Sequence, residues 1–374
     1  MPSLDPYDAV LLLSFGGPDG PDDVLPFLEN VTRGRGIPPE RLREVATHYD
    51  AVGGRSPING QNRDLLRELR VELAARGLNL PVTWGNRNWS PYVVDALREL
   101  QAGGARRVVV VTTSAYSSYS SCRQYREDRA QALLTLVAEG RRLEVDRVRA
   151  YYDHPGFVQP VVTGVLSALA DLPEAEREAA RLVFVTHSVP EAMAEQSGPG
   201  GGAFVAQHRE IAAEVAARVS GRTGRPHEWD LVYCSRSGPP SQPWLEPDVN
   251  DHLRRLHAEG CRAVVLVPVG FVSDHMEVVH DLDTEAMETA AALGLVVRRA
   301  PTVGTSPPFV RGLVDLLEER AAIARGGQPD QPTVGALGPW PSICRIGCCP
   351  NPRGDRPAAC GADWVAPALS TAVR

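Results

Sequence analysis

The sequence predicts an α/β fold of two halves, each built on a four-stranded parallel sheet flanked by helices. Three observations carry this. Short Val-rich runs of strand length alternate with longer amphipathic stretches of helical period through most of the 374 residues, the pattern of parallel sheets with right-handed crossovers. Four strand candidates fall before about residue 150 and four after it. These runs are apolar throughout rather than alternating, which suits sheets covered on both faces.

In chain order the strands are expected at 9–14, 82–86, 108–113, 144–150, 182–186, 231–235, 263–267 and 295–299. Helices are expected at 63–76, 93–102, 124–139, 158–172, 205–219, 249–259 and 277–293. The turn Tyr151-Tyr-Asp-His-Pro-Gly156 marks the boundary, giving lobes 1–154 and 155–304 with a cleft between them. A helix over 305–325 is expected to pack back on the first lobe. A linker rich in Gly and Pro then runs from Gly326 to Pro341, and a cysteine-bearing tail ends the segment 326–374.

Composition excludes several function classes. Apolar residues make up 43% and charged residues 23%, an ordinary globular profile. The formal charge of −7 gives no reason to expect nucleic acid or an anionic membrane as partner. Residues 1–7 carry no basic leader, and the apolar run 9–15 is too short to cross a bilayer. A cytoplasmic monomer without membrane insertion is expected. Of seven cysteines, Cys234 and Cys261 read as inert core thiols. Cys344, Cys348, Cys349 and Cys360 crowd the tail, with Cys122 alone upstream. In a cytosolic chain such crowding favours metal or cluster ligation over disulfides. A tail too short to build its own core needs such a staple.

Two segments concentrate the chemistry. Val185-Thr-His187-Ser-Val-Pro190 puts a histidine at the exit of a strand, where an ordinary structural histidine is the plainer reading. Gly270-Phe-Val-Ser-Asp-His-Met-Glu277-Val-Val-His-Asp281-Leu-Asp283-Thr-Glu285 follows another strand and opens a helix. Ligand crevices in open α/β sheets form at the carboxyl ends of strands. An imidazole and a carboxylate there can bind a metal, move protons, or do both. Glu277, Asp281 and Glu285, spaced i, i+4 and i+8, share one helix face beside His280 and Thr284. Like charges at that spacing repel, and a path for a hydrated divalent cation accounts for the repulsion better than a solvated face.

The first half offers further loops. Val31-Thr-Arg33-Gly-Arg35-Gly36, Gly53-Gly-Arg55-Ser56-Pro57 and Ala115-Tyr116-Ser-Ser-Tyr119-Ser-Ser-Cys122-Arg123-Gln-Tyr125-Arg126 supply guanidinium groups, hydroxyls and helix starts, the usual grips on carboxylates. The aromatics of Trp84-Gly-Asn-Arg-Asn-Trp89-Ser-Pro-Tyr92 either wall an apolar pocket or cap the sheet.

At these residues the sequence resembles the ferrochelatase family, enzymes that insert Fe(II) into a porphyrin in haem synthesis, in its actinobacterial form. The likeness runs over about residues 8–320, through Leu11-Leu-Leu-Ser-Phe-Gly-Gly-Pro18, Thr186-His-Ser-Val-Pro190 and Gly270-Phe-Val-Ser-Asp-His-Met-Glu277. The resemblance implies two Rossmann-like lobes with a porphyrin cleft between them. It gives His187 iron binding or uptake of pyrrole protons, and sets Glu277 across the macrocycle. Asp281 and Glu285 become a metal path or proton relay. Ser56 and Tyr125 become propionate contacts, with Arg33, Tyr49 and Phe15 lining the pocket. Phe15 departs from the pattern, lacking the hydroxyl that in several relatives meets the metal from the opposite face.

The resemblance also implies a [2Fe–2S] cluster on four of Cys122, Cys344, Cys348, Cys349 and Cys360. Thiolate sites serve zinc as well, and the spacing does not choose the four ligands. The stretch 36–48 is charged, unlike the apolar lip of membrane-associated relatives, so the expected partners are Fe(II) and coproporphyrin III. Protoporphyrin IX, another divalent metal, or a haem- or iron-sensing binding protein are the competing readings.

Overall fold

The computed structural model describes residues 3–34, 36–238, 241–360 and 364. The chain divides into two compact units. The first comprises Met1–Ala150, Val310–Gln331 and the described residues from Trp340 onward; the second comprises Tyr151–Phe309 and Pro332–Pro339.

In the first unit β1 (Ala9–Ser14) is followed by α1 (Pro21–Val31), α2 (Pro39–Asp50) and α3 (Ile58–Ala75). Then come β2 (Val82–Asn86), α4 (Val93–Ala102), β3 (Arg107–Thr112), a π-helical turn (Tyr119–Arg123), α5 (Gln124–Ala138) and β4 (Glu144–Arg147). The sheet order is β2-β1-β3-β4, all parallel. Every residue of β1 is buried, as are Val108–Val111 of the adjacent strand, because helices cover both faces.

The second unit repeats the plan. It runs α6 (Pro155–Ala170), α7 (Glu174–Arg177), β5 (Arg181–His187), α8 (Glu191–Glu195), α9 (Ala203–Thr223) and β6 (Trp229–Cys234). It continues through α10 (Val249–Ala258), β7 (Ala263–Val267), α11 (Met276–His280), a second π-helical turn (Asp281–Glu285), α12 (Ala286–Leu293) and β8 (Val296–Arg299). The order β6-β5-β7-β8 is again fully parallel. The last helix, α13 (Pro307–Ala324), enters the first unit at Val310, where Glu319 pairs with the buried Arg149 at 3.1 Å.

All eight expected strands form, within a few residues of their expected bounds. Four helices were not expected: α1, α2 and the short α7 and α8. Pro26 interrupts the pattern of α1, and α2 buries only Leu42 and Tyr49, too few to show a stripe. The single helix expected over 277–293 is three pieces, because the π-helical turn inserts a wider register between α11 and α12.

Gly270 fixes how β5 and the loop after β7 meet. Its N–H donates to the Val185 carbonyl at 3.2 Å, and an added Cβ would lie 2.1 Å from Thr186 Oγ1 and 2.9 Å from Thr186 Cα. Gly270→Ala is therefore expected to destabilise the protein by about 1–3 kcal/mol. A lower urea midpoint at unchanged slope would show it.

Candidate active site

Three parallel strands of the second unit end together, and each delivers one element of the site. His187 is the last residue of β5 and pairs in register with Cys234, the last of β6. Ser235 follows β6 in a left-handed conformation (φ 63°) unusual for a residue with a side chain. The chain after β7 turns at Gly270 and enters α11, where the His275 ring caps the helix by accepting from the Glu277 N–H at 3.2 Å.

The central contact is His187 Nε2 to Glu277 Oε1 at 3.3 Å, with the side chains 33% and 43% exposed. The His187 Nδ1–H donates to the Ser188 carbonyl. Both ring nitrogens thus face acceptors, and the imidazolium is the form that satisfies both. Burial opposes that charge, but Glu277 outweighs it and pushes His187 up to about 9. Burial likewise opposes the Glu277 charge, and His187 prevails, holding the carboxyl well below its ordinary range. His275, lowered by burial, stays neutral while its Nδ1 accepts.

Beside the pair, Asp281 accepts a hydrogen bond from Ser235 Oγ. Burial raises its carboxyl to about 7, against the Ser235 bond and with Glu277 and Glu285 adding to the rise. The π-helical turn brings His280 Nε2 to 3.4 Å from Glu285 Oε1. Ligand atoms of His280, Asp281 and Glu285 lie within 4.8 Å of one another, an imidazole-and-oxygen set suited to a divalent cation. Behind His187, Thr186 Oγ1–H donates to His208 Nε2 at 2.9 Å while His208 Nδ1–H donates to the Phe204 carbonyl at 2.7 Å. Burial holds His208 neutral, near 3.

The carboxyl ends of the first unit's strands gather aromatics. Phe27 meets Phe15, Tyr49 and Trp89 edge-on, at 6.4, 6.4 and 6.1 Å between ring centres. The guanidinium of Arg87 stacks over Tyr125 at 4.6 Å and Phe15 at 5.6 Å, and pairs with Asp128. Ser56 is buried against Gly17, where a Cβ would fall 2.7 Å from its own. Arg33 stands exposed just beyond α1.

The ferrochelatase family model matches residues 7–321. A coproporphyrin III ferrochelatase of Streptomyces griseus is 58% identical over 96% of this chain and 97% of its own length. One of Streptomyces coelicolor is 57% identical over the same shares, and one of Leifsonia xyli is 53% identical over 95% and 94%. The chain belongs to the ferrochelatase family.

The first unit gathers five thiols, a donor set of the kind that suits a metal or an iron–sulfur centre. Cys122, Cys344, Cys348 and Cys349 are buried in one cluster with Cys360 packed against it. The π-helical turn before α5 delivers Cys122, and the tail delivers the rest. Hydrogen bonds hold that tail: Asn351 Nδ2 donates to Glu127 Oε2 at 3.0 Å and Arg129 Nη2 to the Ala359 carbonyl at 2.7 Å. A cavity of about 340 Å³ bordered by Arg107, Arg147, Arg320, Cys360 and Trp364 opens beside them.

The residues legible in sequence thus form three groups: His187, Glu277, Asp281 and Glu285; Phe15, Tyr49, Tyr125 and Ser56; and the five cysteines. Sequence reading missed Ser235, His208, Phe27 and Arg87. A strand-end position flagged the loop holding Arg87, and Ser235 closes an expected strand, but nothing local marked Phe27 or His208.

Because Asp281 titrates near 7, its carboxylate is lost as pH falls through that value. Divalent-cation affinity, measured calorimetrically, is expected to fall from pH 8 to pH 6. In Asp281→Asn it is expected to be weaker and nearly flat over that range.

Proposed function

We propose that the protein inserts ferrous iron into coproporphyrin III, releasing two pyrrole protons for each iron taken up, as a step of haem synthesis. The His187–Glu277 pair carries the reading: a cation acceptor and a proton-carrying imidazole in contact, one at the start of α11 and the other at the end of β5. Family membership and the named function of the close relatives support the same reaction.

In the resting pair His187 already holds the proton that Glu277 stabilises, so it is not yet a base. A dication arriving at the Glu277 carboxylate competes for that charge. Burial then favours the neutral ring, which gives up its proton to solvent at its exposed edge and is left able to accept the two pyrrole protons in turn, passing the first to solvent before taking the second. Asp281 and Glu285, with His280, form the acidic approach along which the hydrated ion exchanges water for oxygen ligands. Ser235 and His208 are positioning residues, the first for Asp281 and the second, through Thr186, for His187.

The four propionates of the ring need polar grips rather than an apolar lip. Ser56, Tyr125 and Arg33 are the proposed contacts, with Phe15 and Tyr49 against the ring's flat face. The exposed charges of α2, Glu40, Arg41, Arg43 and Glu44, favour a polar porphyrin over one drawn from a bilayer. Among the described residues no helix is long and apolar enough to cross a membrane. We further propose that four of the five cysteines hold a [2Fe–2S] cluster, which supplies a covalent staple between the tail and α5.

Anaerobic turnover with Fe(II), offering coproporphyrin III and protoporphyrin IX in parallel, tests the assignment. Faster metallation of coproporphyrin III is expected, and preference for protoporphyrin IX would overturn the substrate. His187→Ala and Glu277→Gln should each lower kcat by at least about a hundredfold, the scale of a lost acid–base group.

A further inference from the structure

The surroundings of the cysteines pose an electrostatic problem. Arg129 is 1% exposed and Arg147 7%. Among the described residues neither has a carboxylate within ion-pair distance. Arg147 Nη2 lies 3.0 Å from Cys344 Sγ, and its Nη1 donates to the Val148 carbonyl at 3.2 Å. Arg129 donates to the carbonyls of Ala359 and Asp146. The Nε of each is buried without a hydrogen-bond partner among the described residues. A third guanidinium, of the wholly buried Arg126, donates to the Cys360 carbonyl at 3.2 Å. Other buried arginines of this unit pair with a carboxylate: Arg149 with Glu319, Arg123 with Glu127, and Arg320 with Asp146.

Two buried cations without carboxylates cost several kcal/mol each unless another anion sits close. Neutral thiols do not provide it, and neither does a disulfide. Four thiolates around a metal centre do, because they leave a net negative charge on the group. We propose that Arg129 and Arg147 are the fixed counter-charges of an anionic metal–thiolate group held by the cysteines, and that their positive charge, beyond their hydrogen bonds, is what retains it. The inference rests on the reading of the cysteines as ligands. It adds two residues from α5 and β4, neither of them a ligand, that couple retention of the group to folding of the tail.

The test compares purified wild type with Arg129→Met, Arg147→Met and Arg147→Lys. Iron, sulfide and zinc per chain are measured first, then the rate at which bound metal passes to an excess of chelator. Loss at least about tenfold faster is expected in both methionine variants, since tenfold needs only about 1.4 kcal/mol of the lost attraction. Arg147→Lys keeps the charge and should stay near wild type. If the group is an iron–sulfur cluster, its midpoint potential should fall in the methionine variants, because reduction adds a negative charge beside a removed positive one. Methionine variants as retentive as wild type would overturn the proposal, as would a lysine variant as leaky as Arg147→Met. Should Arg147→Met not fold, Arg129→Met and Arg147→Lys decide. Wild type without thiolate-bound metal would overturn this proposal and the cluster reading together, while leaving the iron-insertion site untouched.

Discussion

Parallel strands force their ends, and therefore their exposed polar groups, to one edge of a sheet, and in the second unit that edge holds a charge pair. β5, β6 and β7 are neighbours in register, so His187, Ser235 and the turn at Gly270 arrive within one residue's reach of each other. The close approach at Gly270 lets the following chain turn back into α11 and set Glu277 against His187. Each member of the pair favours the other's charged form against the opposing pull of burial. The residues around them support that balance. Neutral His208 and His275 hold backbone and side-chain positions without adding charge, while Ser235 holds the carboxyl that stands between the pair and the acidic turn.

Much of this was legible in the sequence because its signals are local. The eight strands stand out as Val-rich runs bounded by turn residues, and strand ends then point to where side chains meet. The His187 and Glu277 motifs, each following such a run, needed no three-dimensional information to be matched. Other features depend on contacts distant in sequence. Phe27 lies on a helix hidden by Pro26 and a weak stripe, yet it anchors Phe15, Tyr49 and Trp89. His208 sits mid-helix on α9, where nothing local tells its tie to Thr186 from an ordinary core contact. The π-helical turn at Asp281–Glu285 brings His280 Nε2 to 3.4 Å from Glu285 Oε1, an i, i+5 contact that an ideal helical spacing cannot express.

The tail illustrates a second kind of constraint. Its cysteines announce a ligand set by crowding alone, whereas the cations that answer them come from α5 and β4, more than two hundred residues away in the chain for Arg129 and Ala359. Arg123, Arg126 and Arg129 recur at three-residue intervals and so share a helix face, and each donates to a tail carbonyl. In sequence, Arg123 and Arg126 read as guanidinium grips for carboxylates at a helix start, and nothing there points them at the tail. Buried, the three fasten the tail to α5 and the turn before it through its carbonyls.

The proposed mechanism turns on one proton, which His187 holds in the resting protein and gives up when a dication reaches Glu277. Following the His187 ring resonances by NMR through a pH titration, without and with saturating Zn(II), measures this directly. A midpoint near 9 is expected in the free protein, falling below about 6.5, the ordinary value for histidine, once the cation is bound. A midpoint already at or below that ordinary value, or one that the cation leaves unmoved, would contradict the proposed mechanism.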